Sequence, residues 1–207
     1  MKNIQKALLL GVAICMVFSC GCEKSKESSS NDNSSEESST NNNANSSLAE
    51  GTLGITIEPV SVSENDLKNN NYELTVPVYL KGNSYGISFV NFGVKYDQQL
   101  ELTNYAKGEL LKEYHYMDST GYNEELHLLW FVGMVQEDPI KHAVINIEGD
   151  GELYQILFKI PESAKSGDEY TIEIADKDAN GKDAFLTLAD EKKYELSAIT
   201  SSIKITE

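Results

Sequence analysis

Between Tyr72 and Leu111 the chain reads YELTVPVYLKGNSYGISFVNFGVKYDQQLELTNYAKGELL, and a period of two runs through it. Tyr72, Leu74, Val76, Val78 and Leu80 alternate with Glu73, Thr75, Pro77 and Tyr79. Beyond a Gly-Asn-Ser turn, Val90, Phe92, Val94 and Tyr96 alternate with Phe89, Asn91, Gly93 and Lys95. Such alternation places one set of side chains on a core and the other toward solvent, which a helix cannot do with the same residues. Further short strands are expected near residues 53–58, 100–104, 126–133, 153–160, 170–175, 184–188 and 200–206, with a helical turn within 107–116. About nine short strands with turn residues between them predict an all-β, jelly-roll-like sandwich.

The N-terminus reads differently. Lys2 and Lys6 precede an apolar stretch over residues 7–18, too short for a comfortable bilayer span and suited to a signal-peptide core. Val17-Phe18-Ser19-Cys20 has the pattern of a lipobox, so residues 1–19 are expected to be a lipoprotein signal peptide and Cys20 the lipidated residue. Ser19-Cys20-Gly21-Cys22 is the poorer alternative, since it lacks the aliphatic residue three before the cysteine. Several acyl chains on one residue anchor a protein stably. Residues 20–50 are Ser- and Asn-rich with almost nothing apolar to offset the entropy of ordering, which predicts a flexible tether with a reach on the order of 30 Å. Cys15, Cys20 and Cys22 are all in this leader, so the folded domain expected over 51–207 relies on packing without disulfides. These readings put the protein on the outer face of a bacterial cell membrane, lipid-anchored.

Every basic residue is Lys; the chain contains no Arg. From residue 51 onward 27 Asp and Glu face 13 Lys, a net charge of −14. Nucleic-acid binding, which needs clustered cations to release counterions, is excluded as a main function, and docking on anionic headgroups is disfavoured. So acidic a surface reads first as a solvated, soluble one; the alternative is that it steers a partner whose contact face carries Lys or Arg.

Three ordered blocks carry a family resemblance. They are V-P-V-Y-L over residues 76–80, G-I-x-x-x-x-F-x-V-x-Y-D over 86–97 and G-E-L-L over 108–111. D-G-E-L-Y-Q-I-L-F-K-I over 150–160, A-K-S-G-D-E-Y-T-I over 164–172 and a closing A-I-T-S-S-I-K-I over 198–205 follow in order. Together they resemble a cohesin, the β-sandwich receptor of dockerin modules in cellulosome-type assemblies. The resemblance implies a non-catalytic module whose partner is a dockerin-containing protein, with calcium bound by that partner and no cofactor or metal of its own.

Position in the family then suggests a contact face. In LHLLWFVG, residues 126–133, Leu126, Leu128, Trp130 and Val132 share one face, while His127, Leu129 and Phe131 share the other. A lone Trp in a sandwich usually points inward, which sends Leu129 and Phe131 outward beside Phe89 and Asn91. The resemblance makes this outer face the dockerin plateau. It implies Phe89, Asn91 and Lys95 as contacts on the 86–97 strand, Leu129 and Phe131 on the 126–133 strand, and Gln155 and Leu157 on a neighbouring strand. Phe89 stands where the family often has an acidic or amide contact, which implies a more apolar interface.

Other chemistry is sparse. Asp176-Lys-Asp178-Ala-Asn180-Gly181-Lys-Asp183 has the spacing of the first half of a calcium loop, but Thr187 at position twelve supplies no bidentate carboxylate. Asn180-Gly181 also reads as a hairpin turn, the reading adopted. His115, His127 and His142 have no metal-ligand spacing. Tyr105, Tyr114, Tyr116 and Tyr122 fall in one connection and offer an alternative, a platform for a polysaccharide. The reading is a lipid-anchored, non-catalytic surface receptor that holds dockerin-bearing enzymes or scaffold proteins at the cell; the alternative is a surface carbohydrate-binding lipoprotein.

Overall fold

The computed structural model describes residues 48–137 and 144–207. The expected signal peptide, Cys20, Cys22, nearly all of the tether and His142 lie outside them. Leu48, in the last positions of the expected tether, packs against the core.

Two sheets face each other across that core. The smaller, of order β1-β3-β8-β5, is built from β1 (Gly54–Thr56), β3 (Glu73–Lys81), β8 (Gly151–Lys159) and β5 (Glu101–Lys107). The larger has eight strands. Its path β11-β10-β4-β9-β12-β2 comprises β11 (Lys193–Glu195), β10 (Phe185–Leu188), β4 (Ile87–Tyr96), β9 (Glu169–Ala175), β12 (Ile199–Thr206) and β2 (Val60–Ser63). On the other edge of β4 follow β7 (Leu128–Gln136) and then β6 (His115–Asn123). Two short helices, α1 (Glu64–Asn69) and α2 (Glu109–Lys112), complete the elements among the described residues. This is the expected jelly-roll sandwich. The sequence reading lacked β2, β6, β11 and α1; Ser63 caps α1, its hydroxyl accepting from the Asp66 N–H at 3.1 Å.

Alternation does what the sequence predicts in β3 and β4. Val76, Val78 and Leu80 from one sheet meet Val90, Phe92 and Val94 from the other, all fully buried. Tyr154 of β8 bridges the sheets: its ring stacks on Phe131 at 4.0 Å and tilts against Phe92 at 6.0 Å. Its hydroxyl donates to the Tyr116 oxygen at 2.8 Å, so both buried phenols are paired. Burial drives the ionisation of Tyr154 and Tyr116 well above the ordinary tyrosine range.

One strand reverses the expectation. Leu129 and Phe131 are core residues, 1% and 0% exposed, while Trp130, Val132 and Met134 face outward and are half-buried. The physical reason lies in the neighbours. Trp130 is opposite Gly93 on β4 and Gly121 on β6, so the outer face offers the indole a niche without flanking Cβ atoms. A Cβ at Gly93 would collide with the Trp130 ring, whereas one at Gly121 would meet nothing within 4 Å. Inside, Phe131 completes the Phe92–Tyr154 cluster.

A second correction concerns Gln155 and Leu157. Both point outward from β8 as expected, but β8 pairs with β3 and β5 in the smaller sheet, on the opposite side of the sandwich from β4 and β7. They are not neighbours of Phe89.

Candidate functional site

The outer face of the larger sheet is ordered by register. Cross-strand pairing aligns Met117, Met134, Phe89 and Thr187 in one row, and Ser119, Val132, Asn91 and Phe185 in the next. Gly121, Trp130, Gly93 and Ala175 form a third row, and Asn123, Leu128, Lys95 and Glu173 a fourth. Within this grid Phe89 stacks on Phe185 at 5.7 Å, and the Lys193 ammonium sits over the Phe185 ring at 4.4 Å. Met117 is 47% exposed. An antiparallel sheet with one face in water ordinarily alternates to polar residues there; this one presents Phe, Trp, Val and Met side by side on adjoining strands.

Of the sequence-derived candidates, Phe89, Asn91 and Lys95 are on this face as expected. Leu129 and Phe131 are removed from it by burial, and Gln155 and Leu157 by sheet membership. Trp130, Val132, Met134, Met117 and Phe185 take their places. The findable signal was Gly93, an outward-parity glycine in the middle of a strand, a position that commonly marks a close approach by another group.

Asn91 is a support rather than a free hydrogen-bonding group. Its Oδ1 accepts from the Trp130 indole N–H at 2.7 Å, which fixes the ring on the sheet. Lys95 is exposed and stands opposite Glu173 in the register.

Beside the grid, β9 and β10 behave as one strand interrupted by an excursion. Both run antiparallel to the same edge of β4, with Ala175 opposite Gly93 and Phe185 opposite Asn91. The chain between them is a hairpin. Asp178 N–H donates to Lys182 C=O at 2.8 Å, Lys177 pairs with Asp183 at 2.7 Å, and Gly181 takes φ +76° at the turn. Asp178 Oδ1 accepts from the Asn180 and Lys182 N–H groups, both at 2.8 Å, which holds its carboxyl below the ordinary range. The Asn180-Gly181 turn is thus formed. Among the described residues, no group of three or more His, Cys, Asp or Glu is placed to hold a metal.

The tyrosines do not line one platform. Tyr116 is core, Tyr114 receives the Glu148 N–H, Tyr105 edges onto Phe131 from the smaller sheet, and Tyr122 is exposed on β6.

A two-sheet jelly roll with an apolar patch on the outer face of its larger sheet defines a β-sandwich, and the fold is that of cohesin modules. The sixth cohesin of scaffoldin B from Acetivibrio cellulolyticus, solved with a Cel5 dockerin, is similar at TM-score 0.56 and 18% identity over 74% of this chain and 98% of that one. The OlpA cohesin of Clostridium thermocellum, also solved with a dockerin, gives 0.54 and 18% over 74% and 99%. A type III cohesin from the cell-surface anchoring scaffoldin ScaE of Ruminococcus flavefaciens gives 0.55 and 11% over 79% and 98%. No protein-family model matches the chain, and no curated protein does.

Proposed function

We propose that the domain is a non-catalytic receptor for a dockerin-bearing protein, which it holds at the bacterial surface through a lipidated Cys20 and the Ser/Asn tether. The observation that carries this reading is the grid of Phe89, Trp130, Val132, Met134, Met117 and Phe185 on the outer face of the larger sheet, in a fold shared with solved cohesin–dockerin complexes. Large apolar side chains clustered at the centre of a patch, with polar groups such as Lys95 and Glu173 at its border, have the anatomy of a protein interface. Anchoring and tethering would confine the captured enzyme or scaffold near the cell, raising its local concentration without further contacts.

The test is a binding screen of the protein against calcium-loaded dockerins, with soluble polysaccharides as controls. Capture of a dockerin, lost on Trp130→Ala, is the expected result. Binding of polysaccharide with no dockerin captured would replace this reading with the carbohydrate one.

A further inference from the structure

The hairpin between β9 and β10 divides the outer face into two hollows of different character. On one side a hollow of about 280 Å³ is lined by Tyr122, Asn123, Leu128, Trp130, Asp178 and Asn180, among others. The turn therefore leans across β4 to share a wall with β6 and β7. On the other side a second hollow is lined by Asn91, Lys182, Asp183, Phe185, Lys193 and Glu195. Lys182 of the hairpin and Lys193 of β11 thus line the second hollow, with Asp183 and Glu195 beside them. The first contains a single charged side chain, Asp178.

What the first hollow offers chemically is narrow. The Trp130 N–H is committed to Asn91, so the indole presents ring surface and no donor. Tyr122, 52% exposed, adds a second aromatic wall. Gly121 leaves the floor open, and Leu128 supplies aliphatic surface. Asp178, one of the lining residues, is fixed by the two backbone N–H groups on its Oδ1. Aromatic surface, the aliphatic surface of Leu128 and one anchored carboxylate with no cation in the lining suit a side chain with an apolar stem and a positive head. The net charge of −14 from residue 51 onward favours approach of such a group over the whole surface.

We propose that the hollow between the Asp178–Asn180 turn and Trp130 is the anchor site for a cationic side chain, Arg or Lys, of the docked partner. This rests on the docking reading above and adds to it which hollow takes the charge, and hence the direction in which the partner lies across the sheet. The second hollow, where Lys182 and Lys193 face Asp183 and Glu195, has no net charge in its lining and is not assigned a charged group of the partner.

The test exploits the single Trp in the chain, which gives one indole N–H resonance. The ¹⁵N-labelled full chain is titrated with arginine ethyl ester at constant ionic strength, and separately with a methyl cellobioside. Saturable shifts of the Trp130 indole and Asn180 amide with the arginine ester, weakened about fivefold or more in Asp178→Asn, are expected. That substitution keeps an oxygen for the turn's N–H groups and exchanges the other for an uncharged NH2, so the hairpin is expected to survive. An unmoved indole, an equal response in Asp178→Asn, or shifts with the cellobioside alone would overturn the assignment. A dockerin that binds with unchanged affinity when Asp178→Asn is introduced, yet is lost on Trp130→Ala, sinks the cation site and leaves docking intact. Saturable binding of the arginine ester with no dockerin captured does the reverse.

Discussion

Trp130 and Phe131 are adjacent in sequence and on opposite faces of β7, so truncating each in turn separates stability from binding. Phe131 is fully buried against Tyr154 and Phe92. Phe131→Ala removes a phenyl from the centre of the sandwich, at a cost of about 3–5 kcal/mol in lost transfer energy and residual cavity. For a domain of this size each kcal/mol shifts the melting temperature by about 2–4 °C, so a fall of roughly 6–20 °C is expected. Trp130→Ala acts on a half-buried ring. It loses the indole N–H bond to Asn91, about 0.5–1.5 kcal/mol, but Asn91 is partly exposed and water can take the vacated position. A loss of about 1–2 kcal/mol, or a few degrees, follows. Binding should respond in the opposite order: a central aromatic anchor is worth about 2 kcal/mol or more, so dockerin affinity should drop roughly thirtyfold in Trp130→Ala. Differential scanning calorimetry and isothermal titration on both variants give the four numbers. Comparable melting losses in the two proteins, or a Phe131→Ala variant as stable as the parent, would refute the inward and outward assignment on which the proposed docking face depends.

Gly93→Ala should push the indole off the sheet and break its bond to Asn91, because the new Cβ enters the Trp130 ring; a red-shifted tryptophan emission with a stability loss of about 1–3 kcal/mol is expected. Excess chelator should leave the melting temperature unchanged, since the Asp178 turn is closed by its own backbone N–H groups; a large drop would reveal a calcium ion that stabilises by mass action. The folded-state carboxyl of Asp178 is lowered, so its contribution to the hairpin is present above its ordinary range and lost as pH falls through the folded value, followed by the Asn180 and Lys182 amide shifts in an acid titration. Cys20→Ala should release the protein from the membrane fraction or leave an uncleaved precursor; unchanged detergent-phase partitioning would point to Cys22 instead.

The reading of β3 and β4 from sequence succeeded because their two faces differ in polarity. Asn91, Gly93 and Lys95 contrast with Val90, Phe92 and Val94, and burial follows that contrast. In β7, Leu128, Trp130 and Val132 are as apolar as Leu129, Phe131 and Val135, so alternation had nothing to discriminate. The choice then rested on the usual fate of a lone Trp, and a pair of glycines on neighbouring strands reversed it. Register across strands is a long-range property that period-two patterns within one strand do not contain. For the same reason the outward parity of Gln155 and Leu157 was legible while the sheet they belong to was not. β6 escaped because its Asp-Ser-Thr-Gly centre reads as a connection; it is an edge strand whose exposed positions need no hydrophobes.

The interrupted strand formed by β9 and β10 separates two tasks that most strands perform together. Ala175 and Phe185 both hold places in the ladder along β4, and the Ala184 N–H to Asp176 C=O bond of 2.7 Å closes the base of the excursion between them. The hairpin is in effect a cassette set into a finished frame. A change confined to its tip is expected to leave the register that presents Phe89 and Phe185 in place, which amide shifts along β4 would check. Grafting a different hairpin between Asp176 and Ala184 is therefore a direct way to change the surface beside Trp130 while the sandwich beneath it stays the same.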